Sequence, residues 1–184
     1  SNKIKKIDKN TVLQRKKFPT TVMKLPWKNE KILTVLPLQN KDVIGAISKK
    51  WYMLLFNESD LKNMGKTAWW ITVMWLWDDD KLVWSFLYNH EPFVFVHTDR
   101  QWKLLNIEDL RIWKRAKKWD SILPKFETIS IRGAMTIEEW AITFIFDDET
   151  QQTLHSNDIE LTMPEWQLQK LVSKKIIKVY IPWQ

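Results

Sequence analysis

Residues 67–89 read TAWWITVMWLWDDDKLVWSFLYN, and this stretch decides the predicted fold. In its first half, large apolar side chains alternate between two faces of an extended chain, which is the period of two of a β-strand. Because both faces are apolar, this strand is predicted to lie in the centre of a sheet, with Trp75 in the core. Asp78–Asp80 interrupt the pattern with turn-forming residues, and Leu82–Tyr88 resume it. The stretch is therefore predicted to form a hairpin.

Outside the hairpin, three segments have helical features. Residues 40–51 follow a capping Asn or Asp with an apolar stripe. Residues 106–119 combine an Asn cap, early acidic residues and late basic residues, which suits the helix dipole. Thr162 and Glu165 have the spacing of a capping box. Further strands are predicted at residues 31–38, 93–97, 128–132, 140–146 and 176–181.

These elements predict an α+β fold, namely a single compact domain with a twisted antiparallel β-sheet flanked by about three helices. No internal repeat and no second domain is evident in the sequence. Residues 1–30 are predicted to form a flexible, extended basic N-terminal arm, and residues 31–184 the core domain.

The composition excludes several classes of protein. A chain of 184 residues that is 45% hydrophobic and 28% charged can bury a core, so an unfolded or collagen-like chain is excluded. The absence of Cys rules out a disulfide framework and a thiolate metal site, and leaves the redox compartment open. The longest apolar run has 10 residues, which is too short to span a bilayer. Residues 1–17 lack the apolar centre of a signal peptide.

The net charge of +7 is concentrated in two segments. Ten of the first 31 residues are basic and two are acidic, which is typical either of a solvated tail or of an arm that meets an anionic surface or a neighbouring subunit. The predicted helix at 106–119 carries five more cations. Such basic segments with Trp nearby could bind a nucleic acid or an anionic bilayer, unless they are merely solvated. The candidate contact residues are Lys5, Lys6, Arg15, Lys16, Lys17, Arg111, Lys114, Arg115, Lys117 and Lys118.

Most of the 13 Trp residues lie in predicted strands and are assigned to the core. Only four are expected to be available for contacts: Trp27, Trp102, Trp119 and Trp183.

No pattern that carries catalysis is present. The three His residues lack metal-ligand spacing, no G-x-S-x-G or phosphate-binding glycine loop occurs, and the chain is predicted to use no metal and no cofactor and not to be an enzyme. The acidic runs Asp78–Asp80 and Asp147–Glu149 are interpreted as hairpin turns. Glu58, Asp60 and Lys62 have the residue types of a metal-dependent nuclease, which is a minor alternative.

Two patches resemble the matrix proteins of rhabdoviruses, in the order in which that family has them. Residues 42–51, DVIGAISKKW, are similar to the family's first helix, in which Asp-Val is followed by an Ala-Val-Ser-x-x-Trp pattern. Residues 132–149 run from RGA to TFIFDDE and are similar to the family's late strand. The chain lacks the Pro-Pro-x-Tyr budding motif, and its Trp content is unusual for the family.

The resemblance implies a non-enzymatic structural protein of a divergent branch, such as those that infect plants. Such a protein self-associates and bridges the viral nucleocapsid to an anionic membrane during assembly and budding, in the virion, the host cytoplasm and at the inner face of a host membrane. RNA is a further implied partner. The arm of these proteins docks on a neighbouring subunit, which here assigns self-association to Phe18, Pro19, Val22, Leu25, Pro26 and Trp27. The alternative hypothesis, from the residues alone, is a basic, Trp-rich nucleic-acid-binding module.

Overall fold

The computed structural model describes residues 2–13, 21, 23–25, 28–65, 67–88, 93–117, 119–122, 131–137, 141–155, 169–170 and 174–180. Strands account for 43% of the structure and helices for 8%. The predicted α+β fold with about three flanking helices is therefore wrong, and the protein is built from β-sheets.

Thirteen strands and one short α-helix are present in the described part of the chain. The strands are β1 (Lys3–Ile4), β2 (Val43–Ser48), β3 (Tyr52–Asn57), β4 (Ile71–Thr72), β5 (Leu82–Tyr88), β6 (Phe93–His97), β7 (Gln101–Asn106), β8 (Asp120–Ser121), β9 (Gly133–Ile137), β10 (Ala141–Phe146), β11 (Gln151–His155), β12 (Gln169–Lys170) and β13 (Ile176–Tyr180). Helix α1 is Lys9–Leu13, and 3-10 turns are formed by Glu58–Asp60 and Ile107–Asp109.

Eleven of these strands form three antiparallel blades, each built on a hairpin, and β1 and β4 form a separate two-stranded sheet. The first blade has the order β5-β2-β3-β8, the second β9-β6-β7-β12 and the third β13-β10-β11. Strands β5 and β9 contact each other, so the first two blades meet at these inner strands and β8 and β12 are the outer strands. Each outer strand comes from the chain that follows the next hairpin, so neighbouring blades are interlocked.

The hairpins are internal repeats that inspection of the sequence missed. The first is followed by Asn57–Leu61 (NESDL) and the second by Asn106–Leu110 (NIEDL), and both pentapeptides contain a 3-10 turn. From each turn the chain continues to the inner strand. We call residues 61–81 the first crossover segment and residues 110–132 the second. The first contains β4, which pairs with β1, and the second contains β8, which pairs with β3.

The predicted helix at residues 40–51 is instead strand β2 and the following turn. All six residues of β2 are buried, because β2 lies between β3 and β5 and has an apolar cluster on each face. Val43 and Ile47 belong to one cluster, and Ile44 and Ala46 to the other. A short apolar run of this kind fits a buried strand as well as a helix, and the sheet on both sides decided between them.

The predicted helix at residues 106–119 stops after one 3-10 turn. Asn106 does cap it, since its side chain accepts a hydrogen bond from the Glu108 amide at 3.0 Å. Leu110 is already extended, and the Trp113 amide donates to the Leu55 carbonyl at 2.8 Å. Ile107 and Leu110 are buried in the cluster that contains Leu55. Packing against β3 therefore overrides helix propensity.

Only one half of the Trp-rich stretch at 67–89 forms the strand that was predicted for it. Leu82–Tyr88 form a strand, but in the other half only Ile71–Thr72 do. Trp75 is 62% exposed, while Val73 and Met74 fill the core below it. The predicted central strand, and the core position of Trp75, are wrong.

Other strand predictions are largely confirmed, at residues 93–97, within 140–146 and within 176–181. Residues 31–38 do not form a strand. The strand expected at 128–132 begins at Gly133, and residues 128–130 lie outside the described residues. The helix predicted from Thr162 also lies outside them, except that Gln169–Lys170 form β12. The division at residue 30 stays a prediction, although Lys3 and Ile4 pair with Ile71–Thr72.

Candidate nucleic-acid interface

The two crossover segments lie side by side at the outer strands. The Ala116 amide donates to the Val73 carbonyl at 2.9 Å, and the Arg115 guanidinium donates to the Thr72 carbonyl. The Arg115 amide also donates to the Asp60 carboxylate at 3.0 Å. Ala116 has a φ of 58°, so the chain turns sharply at this contact. These bonds fix the basic end of the second crossover segment against the Trp-rich first one.

The structure divides the predicted basic residues of the second crossover segment into two groups. Arg111, Lys114 and Lys117 are exposed. The Arg111 guanidinium lies 5.9 Å from the centre of the Trp113 ring, a cation–π distance that leaves its charge at the surface. Arg115 is half-buried and has a structural role, and Lys118 lies outside the described residues. Three of the five predicted cations are thus presented to solvent.

The N-terminal lysines add charge beside β4. Lys3 Nζ donates to Thr72 Oγ1 at 2.8 Å, and Lys5 Nζ donates to the Ala68 carbonyl at 2.9 Å. Lys6 forms an ion pair with the nearly buried Glu58 and so has a structural role. Lys3 was missed by the sequence prediction, because nothing in the basic run distinguishes it.

Several predicted site residues cannot be placed. The contact residues Arg15, Lys16 and Lys17 lie outside the described part of the chain, as do five of the residues assigned to self-association, namely Phe18, Pro19, Val22, Pro26 and Trp27. Leu25, the sixth, is 40% exposed.

The Trp residues available for contacts are not the predicted ones. Trp69, Trp75 and Trp77 on the first crossover segment are exposed. In contrast, Trp102 is buried, and Trp119 packs edge-on against Tyr52 at 5.7 Å. Trp27 and Trp183 lie outside the described residues. The pentapeptide repeat is the sequence signal that could have pointed to these exposed Trp residues, because each copy of the repeat marks the start of a crossover segment.

The acidic runs neutralise basic groups near hairpin turns. Asp79 forms an ion pair with Lys50 in the β2–β3 turn, and that hydrogen bond lowers the pKa of Asp79. Asp148 lies in the β10–β11 turn, where its hydrogen bond with Lys174 lowers its pKa to about 2. The turn predicted at Asp147–Glu149 is therefore confirmed, whereas Asp78–Asp80 lie against the turn of another hairpin.

The two carboxylates on which the nuclease alternative depends are engaged in structural contacts. Glu58 is paired with Lys6, and Asp60 accepts the Arg115 amide. Among the described residues, no group of three or more His, Asp or Glu is placed to hold a metal ion. Within the same residues, no helix is long and apolar enough to cross a membrane.

Comparison with known proteins identifies the fold. No family model and no curated protein matches the sequence. The C-terminal domain of DNA topoisomerase IV is similar in structure, with a TM-score of 0.66 and 20% identity, over 77% of this chain and 46% of that one. The C-terminal domain of DNA gyrase A gives a TM-score of 0.63 and 16% identity, over 79% of this chain and 52% of that one. The fold is a β-pinwheel.

A third β-pinwheel, the C-terminal domain of ParC from E. coli, gives a TM-score of 0.65 and 11% identity, over 88% of this chain and 68% of that one. The present chain thus spans about half the length of the first two structures. The rhabdovirus resemblance is wrong, because the patch at 42–51 is a strand of a β-pinwheel and not a helix. The assembly role is contradicted with it, together with the predicted partners: a second copy, the viral nucleocapsid and the membrane.

Proposed function

We propose that this chain is a DNA-binding module that holds the phosphate backbone along its outer strands. The observation that carries the proposal is the position of Arg111, Lys114 and Lys117. These cations are exposed on the second crossover segment, at the outer edge of a fold that resembles the C-terminal domains of DNA gyrase A and DNA topoisomerase IV.

Electrostatics supports a polyanionic ligand. The net charge is +7, and part of the acidic charge is engaged by lysines near the hairpin turns, as at Asp79 and Asp148. Among the described residues, Arg111, Lys114 and Lys117 form no ion pair, so their charge is available to such a ligand. Phosphate contacts from Lys and Arg release counterions, which supplies affinity without sequence specificity. The proposal gives the chain a binding role and no chemical step.

Titration of duplex DNA over a salt series tests this role. Each phosphate contact contributes about 0.9 to the slope of log K against log salt concentration, so the triple variant Arg111→Gln/Lys114→Gln/Lys117→Gln is expected to bind more weakly and to lower the slope by roughly 3. Lys178→Gln is the matched control, since Lys178 is exposed on the inner strand β13 and is expected to leave both values unchanged.

Two outcomes would contradict the proposal. One is that the parent protein fails to bind duplex DNA at low salt. The other is that the control variant loses as much affinity as the triple variant, because the outer strands would then have no special role.

A further inference from the structure

Three large indoles of the first crossover segment are turned towards solvent. Trp69 is 85% exposed, Trp75 62% and Trp77 66%. Their neighbours are anchored: the Trp70 indole donates to the Lys24 carbonyl at 2.7 Å, and Val73 and Met74 are buried. The backbone is thus held so that the three indoles face outward. Several exposed aromatic side chains on one short segment mark a binding site more often than an isolated apolar residue does.

The backbone next to two of the three indoles contacts basic segments of the chain. Next to Trp69, the Ala68 carbonyl accepts the Lys5 ammonium. Close to Trp75, the Val73 carbonyl accepts the Ala116 amide, which brings the exposed Lys117 to this part of the surface. Each of these indoles therefore has a positive group close to it in the fold.

The third indole lies beside balanced charges. Trp77 is followed directly by Asp78–Asp80. Lys50 forms an ion pair with Asp79, and its ammonium also interacts electrostatically with Asp80. The Lys49 amide donates to the Lys81 carbonyl at 2.8 Å, so two more lysines lie at the same turn and three lysines balance the three carboxylates. The surface near Trp77 therefore carries no net positive charge to attract a polyanion, in contrast to the surface near Trp69 and Trp75.

We infer that Trp69 and Trp75 are stacking platforms for unpaired bases, so that single-stranded DNA is a ligand of this surface. The inference rests on the proposed function and extends it from the backbone to the bases. Aromatic rings that alternate with cations match a single strand, whose phosphates meet the cations while its bases stack on the rings. In a duplex the base faces are covered by their neighbours, so duplex DNA gains from the cations but not from the indoles.

The test measures the affinity of the full chain for an oligothymidylate of about 20 nucleotides and for a duplex of the same length. Trp69→Ala and Trp75→Ala are each expected to weaken binding of the single strand by roughly 5- to 150-fold, the range that corresponds to the loss of one stacked base. Duplex affinity is expected to change by less than about 2-fold, because no duplex base stacks on these rings. Trp69→Phe should restore most of the loss, since it keeps an aromatic face.

Trp77→Ala is the matched control, equally exposed and on the same segment. It is expected to leave both affinities unchanged. Unaltered thermal unfolding of each variant confirms that the fold is kept.

Each result has a distinct meaning. The inference is overturned, and the proposed function stands, if every variant keeps its affinity for the duplex and neither Trp69→Ala nor Trp75→Ala loses affinity for the single strand. Trp77→Ala weakening the single strand as much as Trp69→Ala also overturns it, because the flanking cations would then be irrelevant. Failure of the parent to bind either probe overturns the proposed function itself.

Discussion

Gly45 is the position at which a single added methyl group should damage the fold most clearly. It pairs with Phe86 across strands β2 and β5, and the Phe86 ring lies over it. An added Cβ would lie 2.5 Å or less from three carbon atoms of that ring. Ordinary carbon–carbon separations are about 3.5 Å or more, so the ring would have to move by about 1 Å. Phe86 is only 6% exposed and belongs to a packed cluster, which leaves it little room.

The magnitude follows from two opposing effects. Overpacking a core costs about 1–3 kcal/mol, and a buried ring between strands belongs at the upper end. Replacing Gly by Ala within a strand also stabilises the fold by about 0.5–1 kcal/mol, because Ala loses less backbone entropy on folding. Gly45→Ala is therefore expected to lower the free energy of unfolding by about 2 kcal/mol.

Urea unfolding followed by Trp fluorescence measures this loss as a lower midpoint at an unchanged slope. Gly65→Ala is the control, because no described atom lies within 4 Å of the Cβ it would add. If the two variants unfolded at the same urea concentration, the proposed steric conflict with Phe86 would be refuted. The double variant Gly45→Ala/Phe86→Leu should lose less than the sum of its single changes, since the smaller side chain makes room.

Two further predictions concern the core. Trp51→Ala should lower the free energy of unfolding by about 3–5 kcal/mol and Trp75→Ala by less than about 0.5 kcal/mol. The reason is that Trp51 is 1% exposed, whereas Trp75 is 62% exposed. Urea unfolding measures both losses, and equal losses would contradict the structure. Burial lowers the pKa of Lys103 from its usual 10.5 to about 8. Between these values the unfolded chain keeps the proton that the folded chain has released, so stability should rise with pH by at most about 3 kcal/mol. Lys103→Met should abolish that rise in thermal unfolding from pH 7 to 10, and a rise of the same size in the variant would exclude Lys103 as its source.

Part of the β-pinwheel could be predicted from local pattern. The strand Leu82–Tyr88 alternates over seven residues, Phe93–His97 is a short apolar run, and Ala141–Phe146 alternates clearly, so each was found. The outer strands could not be found in this way. Asp120–Ser121 and Gln169–Lys170 have two residues each, too few to show any period, and their pairing partners are distant in the sequence.

The cations of the candidate site were predicted from the sequence, whereas its exposed Trp residues were missed. Arg111, Lys114 and Lys117 were identified because their charge must face water in almost any fold. Trp69 and Trp75 were assigned to the core because an apolar pattern ordinarily indicates burial. The sequence shows that such residues alternate, but it does not show which element, if any, covers each face.

The sequence by itself determined a folded chain with a net charge of +7, several strands and a cluster of surface cations. Only the tertiary structure decided that residues 43–48 are a strand, that the chain after the next hairpin supplies each outer strand, and that three indoles of the first crossover segment face solvent. The physical reason is that side-chain periodicity is a local property. Strand pairing and burial depend on contacts between segments far apart in the chain, such as β3 with β8.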